Sequence, residues 1–244
     1  MRIEPAQASE QAAQRPSAAS MLFILAHELR APLAPIRNAA TLLAMQIPKG
    51  TPLWKPVGVI ERQVTAIESL IDHVLEAARL EHGFSNAERT CMNLGNAVAD
   101  AVETVAPYAA EREQTLDLQL PSIPIFVNAD AEQMGQIVRN LLTNAVKYTG
   151  RGGRIEVLAT STGETAEIRV RDTGIGLGPD QLESIFDLYA QAGQAGTPRS
   201  AGGLGIGLYV ARQLALAHGG NVVASSLGAN SGSEFTVSIP LAST

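Results

Sequence analysis

Apolar residues recur at spacings of three and four, or of seven, in two stretches of the N-terminal third of the chain. The more regular stretch contains Val57, Ile60, Val64, Ile67, Ile71, Val74 and Ala78. The earlier stretch contains Leu22, Leu25, Leu29, Ile36 and Leu43. This spacing is typical of a coiled-coil seam and predicts two long helices. The first begins near Ser17 or Ser20 and ends near Met45, and the second runs from Val57 to about Glu81. Three prolines and a glycine between residues 47 and 56 predict the loop that joins them.

Two such helices joined by a short loop form a hairpin with more apolar surface than it can bury alone. We therefore expect residues 18–83 to form a helical hairpin that pairs with a second copy as a four-helix bundle. The alternative is a hairpin that packs onto its own C-terminal domain. Pro32 and Pro35 predict a bend in the first helix. Residues 1–17 show no apolar period and indicate a linker or disordered lead-in.

The hydrophobic pattern changes after Gly83, and we place a second domain at residues 90–244. Helices are predicted at 94–112, 131–147 and 205–218, and strands at 115–120, 125–128, 154–160, 166–171, 222–226 and 234–239. This mixture predicts an α+β sandwich in which helices cover one face of a mixed sheet.

Composition narrows the class of protein. The net charge of −6 argues against nucleic acid as the main partner, because binding phosphates requires clustered Lys and Arg. The single cysteine, Cys91, excludes an internal disulfide and fits a cytoplasmic protein. The sequence contains no run of 18 or more apolar residues, so we predict no membrane-spanning segment in this chain.

His27 is the first candidate for chemistry. It lies on the predicted first helix, Glu28 follows it directly, and Arg30 shares its helical face. With Leu22 at heptad position a, His27 takes position f, the outermost point of the helix. A lone exposed histidine is usually an inert polar residue, so a catalytic role requires a phosphate donor elsewhere in the chain.

A polar stripe on the helix predicted at 131–147 is the second candidate. Asn140, Asn144 and Lys147 recur at spacings of four and three, opposite an apolar stripe. Amide oxygens suit Mg²⁺, and an ammonium group can bind a phosphate. Taken alone, this pattern is equally typical of a solvated helix face.

Two glycine-rich stretches point to the same ligand. Asp172-Thr-Gly174-Ile-Gly176 follows a strand, where the carboxylate can accept hydrogen bonds from an exocyclic amine. The run from Gly202 to Gly207 opens a helix, whose exposed amides form an anion site. Each stretch alone is weak, but three polar motifs in one domain indicate nucleotide binding.

Other nucleotide-binding motifs are absent from the sequence. There is no Gly-x-x-x-x-Gly-Lys-Ser/Thr loop, and Leu208 replaces the last glycine of a dinucleotide fingerprint. His-Arg-Asp and Asp-Phe-Gly are also missing, which excludes the Ser/Thr/Tyr protein kinases.

In the order of its motifs, the chain resembles the catalytic core of a sensor histidine kinase of a two-component system. The stretches that carry the resemblance are those of the H-box around His27, the N-box at 140–148, the first glycine box at 172–176, the F-box at 185–189 and the second glycine box at 203–207. The resemblance covers about residues 18–241. It implies a dimerising phosphoacceptor hairpin followed by an ATP-binding domain of the Bergerat (gyrase/Hsp90/histidine kinase/MutL) fold.

The same resemblance implies a role for each motif residue. His27 would be the phosphoacceptor and Glu28 the base for its second ring proton, while Asn140 would bind Mg²⁺. The residues implied to contact ATP are Asn140, Asn144, Lys147, Tyr148, Asp172, Gly174, Gly176, Gly203, Leu204, Gly205 and Gly207. The implied partners are a second copy of the chain, the receiver domain of a response regulator, and a sensor domain outside this chain.

Two further expectations concern single segments. Residues 190–202 contain no large apolar residue, so we predict an ATP lid. Arg199 is the only charge in that segment and is a candidate phosphate contact, with a solvated loop arginine as the alternative. Ala31 occupies the position, four residues after His27, where many relatives carry Thr or Asn, which predicts weak phosphatase activity. A non-catalytic docking scaffold and an ATPase of the same fold remain the alternatives to a kinase.

Overall fold

The computed structural model describes residues 18–48, 50–61, 63–65, 67, 71, 88–190 and 205–242, with side chains from residue 31 onward. The chain divides into two compact units, Met1–His82 and Gly83–Thr244. Each unit is described by itself below.

The first unit contains a helical hairpin. Helix α1 spans Ala18–Gln46 and continues through Pro32 and Pro35. A second helix, α2, includes residues 54–61, 63–65, 67 and 71. It begins at Trp54, three residues before the predicted start. Pro56 therefore lies inside the helix, where its missing N–H costs nothing, because first-turn amides have no partner within a helix.

Burial distinguishes two apolar stripes on the hairpin, each with a period of seven. The buried stripe, with exposed fractions of 2–8%, consists of Leu33, Ala40, Val57, Val64 and Ile71. The exposed stripe, with fractions of 42–46%, consists of Ile36, Leu43, Ile60 and Ile67. Leu33 of α1 forms one buried cluster with Val64 and Ile71 of α2. One apolar stripe therefore joins the two helices, and the other remains uncovered in the single chain.

The second unit is an α/β sandwich. Its helices are α3 (Leu94–Glu111), α4 (Ala131–Tyr148), α5 (Gln181–Ser184) and α6 (Gly207–Ala217). Its strands are β1 (Thr90–Asn93), β2 (Thr115–Gln119), β3 (Phe126–Ala129), β4 (Arg154–Thr162), β5 (Thr165–Asp172), β6 (Asn221–Ser225) and β7 (Ser233–Pro240). Strands β2-β4-β5-β7-β6 form a mixed sheet in that order, with β2 and β4 parallel and the other pairs antiparallel.

The core lies between this sheet and helices α3, α4 and α6. Buried and more exposed side chains alternate along the strands. Val157 of β4 and Ile168 of β5 are buried, while the charged residues next to them in each strand lie on the opposite face of the sheet. On that outer face Arg154 pairs with Asp117 across β2 and β4, at 2.8 Å. The predicted arrangement of helices on one face of a mixed sheet is confirmed.

Two short elements were not predicted. Strand β1 has four residues, and it pairs with β3 in the register Thr90↔Ala129. Helix α5 has four residues and no side-chain cap. Both lack a local signal, because β1 depends on a partner more than thirty residues away and one turn of helix is too short to show a period.

The start of helix α4 contacts the end of helix α6, which shows that the two helices run antiparallel. Asp130 caps α4 by accepting a hydrogen bond from the Gln133 N–H, at 3.0 Å. The N–H of Asp130 donates to Nε2 of His218, which follows the last residue of α6. The other ring nitrogen of His218 lies 2.8 Å from the Leu214 carbonyl and donates to it. His218 is 4% exposed, and this pattern requires a neutral ring with its proton on Nδ1.

Candidate nucleotide-binding site

Asn140 lies where helices α4 and α6 meet at the other end of their contact. Its side chain is 4% exposed, and its Nδ2 donates to the carbonyl of Gly207, the first residue of α6, at 3.0 Å. Oδ1 is the atom of this side chain that can act as a metal ligand, because the amide nitrogen is a donor only. The two helices therefore bring Asn140 and Gly207 together.

The remaining polar residues of the α4 stripe lie at its C-terminal end. Asn144, Lys147 and Tyr148 are all half-buried. The Lys147 ammonium donates to the Tyr148 hydroxyl at 2.9 Å and lies 4.5 Å from the centre of its ring. This contact orients two predicted ligand-binding groups side by side, one cationic and one aromatic.

Two residues that the sequence analysis missed hold the end of this helix. Arg112 donates to the carbonyls of Val146 and Lys147, at 2.7 and 3.1 Å. The buried Gln114 donates from Nε2 to the carbonyls of Val146 and Thr149, at 3.0 and 2.7 Å. These carbonyls are left without partners at a helix C-terminus, so the two side chains act as its cap.

Asp172 ends strand β5 with a carboxylate that is 5% exposed. The N–H of Gly174 donates to its Oδ1 at 2.7 Å, and the hydroxyl of Ser233 donates to its Oδ2. Ser233 was not predicted, and it reaches the carboxylate because Asp172 and Ser233 are partners in the β5–β7 ladder. The two donors fix the carboxylate orientation and leave each oxygen a lone pair with which to accept from a ligand amine.

Two glycines stand where any side chain would collide with backbone. Gly176 has φ +68°, and a Cβ there would lie 2.0 Å from the Gly228 carbonyl oxygen. Gly205 has φ +70°, and a Cβ there would lie 2.1 Å from the Ala190 carbonyl oxygen. The N–H of Tyr189 also donates to the Gly205 carbonyl, at 3.1 Å. The F-box thus contacts the second glycine box directly.

Several predicted residues lie partly or wholly outside the description. Gly203, Leu204 and Arg199 fall outside the described residues, as does the predicted ATP lid apart from Ala190. His27 and Glu28 belong to helix α1, but their side chains are not among those described.

The described part of the site offers two kinds of group to a ligand. Asp172 is a buried acceptor suited to an amine on a flat base. Helix α6 begins after Ile206, which forms no side-chain cap, and the amide groups at the start of a helix favour an anion. A buried carboxylate can accept from an amine and a helix start can receive an anion, so this pair of groups is chemically suited to a nucleotide.

Two family profiles match the chain. Residues 19–83 match the His Kinase A (phospho-acceptor) domain. Residues 129–243 match the histidine kinase-, DNA gyrase B-, and HSP90-like ATPase domain. The chain belongs to the sensor histidine kinase family.

Relatives of this histidine kinase support the same assignment. The sensor histidine kinase RppB of Synechocystis sp. is 33% identical over 218 residues, which cover 88% of this chain and 47% of RppB. Full-length ShkA, crystallised in complex with AMPPNP, superposes with a TM-score of 0.70 at 27% identity over 93% of this chain and 46% of ShkA. ThkA in complex with the response regulator protein TrrA gives a TM-score of 0.61 at 20% identity, covering 91% of this chain and 61% of ThkA, and shows the fold alone.

This histidine kinase chain spans about half the length of RppB and of ShkA. Among its described helices, none is long and apolar enough to cross a membrane. Within the same described residues, no group of three or more His, Cys, Asp or Glu side chains could hold a metal ion.

Proposed function

We propose that this chain autophosphorylates on His27 with ATP and then passes the phosphoryl group to an aspartate of a response regulator. The observation that carries the proposal is the pairing of two domains in one chain. His27 lies within the match to the phosphoacceptor domain, and the second unit has the ATPase fold with its buried Asp172. Neither a docking scaffold nor an ATPase that works without a phosphoacceptor requires both.

ATP would bind along the line from Asp172 to the start of α6. Asp172 would accept from the adenine amino group, with Gly174 and Gly176 along the purine and Tyr148 beside the base or ribose. Phosphate contacts would come from Asn144 and Lys147 and from the segment that contains Arg199, Gly203, Leu204, Gly205 and Gly207. The direct contact of Asn140 with Gly207 supports this arrangement, because it joins the two phosphate-binding elements.

Asn140 would supply one oxygen to a Mg²⁺ ion. The residues fit this role, because Mg²⁺ in nucleotide sites takes few protein ligands and several phosphate oxygens or waters. The described part of the chain has no acidic cluster that would bind the ion without nucleotide. The ion would neutralise phosphate charge during transfer.

The transfer itself requires a neutral imidazole and a proton acceptor. One ring nitrogen of His27 would attack the γ-phosphorus as the bond to the β–γ bridging oxygen breaks and ADP leaves. The proton on the other ring nitrogen would pass to Glu28, because the phosphorylated ring would otherwise remain positively charged. Histidine has an ordinary pKa of about 6.5, so the neutral form is available near pH 7.

The test is to incubate the full chain with γ-labelled Mg-ATP and to ask whether acid-labile, base-stable phosphate appears on it. We expect labelling of the wild type, none of His27→Gln, and ordinary labelling of the matched control His73→Gln. Asn140→Ala should also remove labelling, through loss of Mg-ATP binding. Labelling of His27→Gln at the wild-type level would refute the phosphoacceptor assignment, and ATP hydrolysis without labelling would favour the ATPase.

The exposed stripe of the hairpin supports a homodimer. Ile36, Leu43, Ile60 and Ile67 repeat every seven residues on each helix and are 42–46% exposed in the single chain. A second copy would cover this stripe and complete a four-helix bundle.

A cytoplasmic location and a sensor domain outside this chain complete the proposal. Ala31, which is exposed and has no hydrogen-bonding side chain, would make the site a poor phosphatase.

A further inference from the structure

Ser226 holds the two ends of the loop that joins β6 to β7, which we call the β6–β7 loop (residues 226–232). Its hydroxyl donates to the Gly232 carbonyl at 2.6 Å and accepts from the Gly228 N–H at 3.2 Å. It also accepts from the Leu177 N–H at 3.1 Å. Leu177 ends the stretch 172–177 that follows β5, which we call the purine loop. One hydroxyl therefore joins the β6–β7 loop to the purine loop.

Backbone contacts continue this junction along the purine loop. The N–H of Asn230 donates to the Ile175 carbonyl at 2.6 Å, and the N–H of Gly232 donates to the Gly174 carbonyl at 3.1 Å. Asn230 has φ +61°, an unfavourable backbone conformation that these contacts maintain. The purine loop therefore takes its shape from the β6–β7 loop as well as from its own sequence.

The β6–β7 loop also leads directly to the partner of Asp172. Ser233 follows Gly232, and its hydroxyl donates to the buried carboxylate. A Cβ at Gly232 would lie 2.0 Å from the Asp172 carbonyl oxygen, so the two chain segments touch at this point. Displacement of Gly232 would move Ser233 and with it one of the two donors that orient the carboxylate.

We propose that Ser226 is a positioning residue for purine selection in this site. It acts through the Leu177 N–H and the Gly232 carbonyl, which fix the purine loop and Ser233 relative to Asp172. Without the hydroxyl, the carboxylate loses its fixed direction, and an amine and a carbonyl at position 6 of the purine are distinguished less well. This inference rests on the proposed function, since it requires that Asp172 binds the adenine of ATP.

The experiment compares four versions of this chain by calorimetric titration with AMPPNP and with the guanine analogue GMPPNP. The proteins are the wild type, Ser226→Ala, Ser226→Thr and the control Ser225→Ala, which alters the exposed neighbouring serine. For Ser226→Ala we expect the Kd for AMPPNP to rise about tenfold, as for the loss of one positioned hydrogen bond. The Kd for GMPPNP should change little, so that the ratio of the GMPPNP Kd to the AMPPNP Kd falls about tenfold. Ser226→Thr, which keeps the hydroxyl, should retain most of the selectivity, and Ser225→Ala should retain all of it.

The ratio of the two dissociation constants distinguishes a loss of positioning from a loss of stability. Partial unfolding of Ser226→Ala lowers the number of binding sites but leaves the ratio of the two dissociation constants unchanged, and that result would overturn the inference. An unchanged AMPPNP affinity would overturn it too, while leaving the proposed function intact. Failure of the wild type to bind AMPPNP would refute the proposed function itself, and the inference with it.

Discussion

Replacement of Asp172 by Asn tests the proposed role of this residue in adenine binding with little disturbance to the fold. The carboxylate is 5% exposed and accepts one hydrogen bond on each oxygen, from the Gly174 N–H and the Ser233 hydroxyl. An amide of the same shape keeps both contacts, because its oxygen accepts from Gly174 and its nitrogen donates to the Ser233 oxygen. We therefore expect the free energy of unfolding to change by no more than about 1 kcal/mol.

The effect on ligand binding should be far larger. In the Asp172→Asn variant, the new amide nitrogen would face Ser233 and could not accept from an adenine amine, and the charge that strengthens the remaining acceptor is lost. A hydrogen bond to a charged group contributes about 1.5–3 kcal/mol, which corresponds to a Kd for AMPPNP raised about 10- to 150-fold. The titration is paired with a urea unfolding curve on the same samples.

Asp180→Asn is the matched control. Asp180 is exposed, lies in the same unit and precedes α5 without forming a side-chain cap, so its replacement removes the same charge without the same contacts. It should bind AMPPNP like the wild type. Binding of Asp172→Asn within twofold of that control would refute the assignment of Asp172 to the adenine amine.

The remaining predictions concern assembly, stability and dephosphorylation. Ile67→Asp, in the exposed stripe, should yield a folded monomer in sedimentation experiments, whereas Val64→Asp, in the buried stripe, should lose helical circular dichroism; equal effects would contradict the division into two stripes. His218→Ala should lower the unfolding free energy by about 2–4 kcal/mol, because it leaves the Asp130 N–H without its acceptor and opens a cavity, as a urea unfolding curve would measure. Ala31→Thr should accelerate loss of phosphate from a labelled response regulator; a wild type that already dephosphorylates it rapidly, with no change in the variant, would disprove the reasoning.

The elements with a strong local pattern were predictable from the sequence. Helix α4 was predicted at residues 131–147 and is found at Ala131–Tyr148, since its apolar stripe and the Asp130 cap directly before it are both local in sequence. The pairing of β1 with β3 was not predictable, because four residues of mixed polarity carry no period and their partner strand is distant in sequence. The start of α2 was missed for a different reason: the prolines suggested a loop, although the first turn of a helix tolerates proline.

For the site, residue type suggests which groups would touch a ligand but does not show which residues hold those groups in place. Asp172 and Asn140 are recognisable because a carboxylate beside glycines and an amide on a helix face suit a nucleotide. Ser226, Ser233 and Gln114 are ordinary polar residues in the sequence, and they matter only through contacts made by the fold. Ser233, for example, meets Asp172 through the β5–β7 register, which no local pattern determines.

The hydrogen bond between Tyr189 and Gly205 has a consequence for how this family can vary. Ala190 and Gly205 are neighbours in space, because the Tyr189 N–H donates to the Gly205 carbonyl and Gly205 closely approaches Ala190. Lengthening a loop between neighbouring points costs little, about 0.6 kcal/mol for each doubling of its length. Insertions, deletions and substitutions between Ala190 and Gly205 can therefore differ among relatives while the sheet, α4 and α6 remain unaltered.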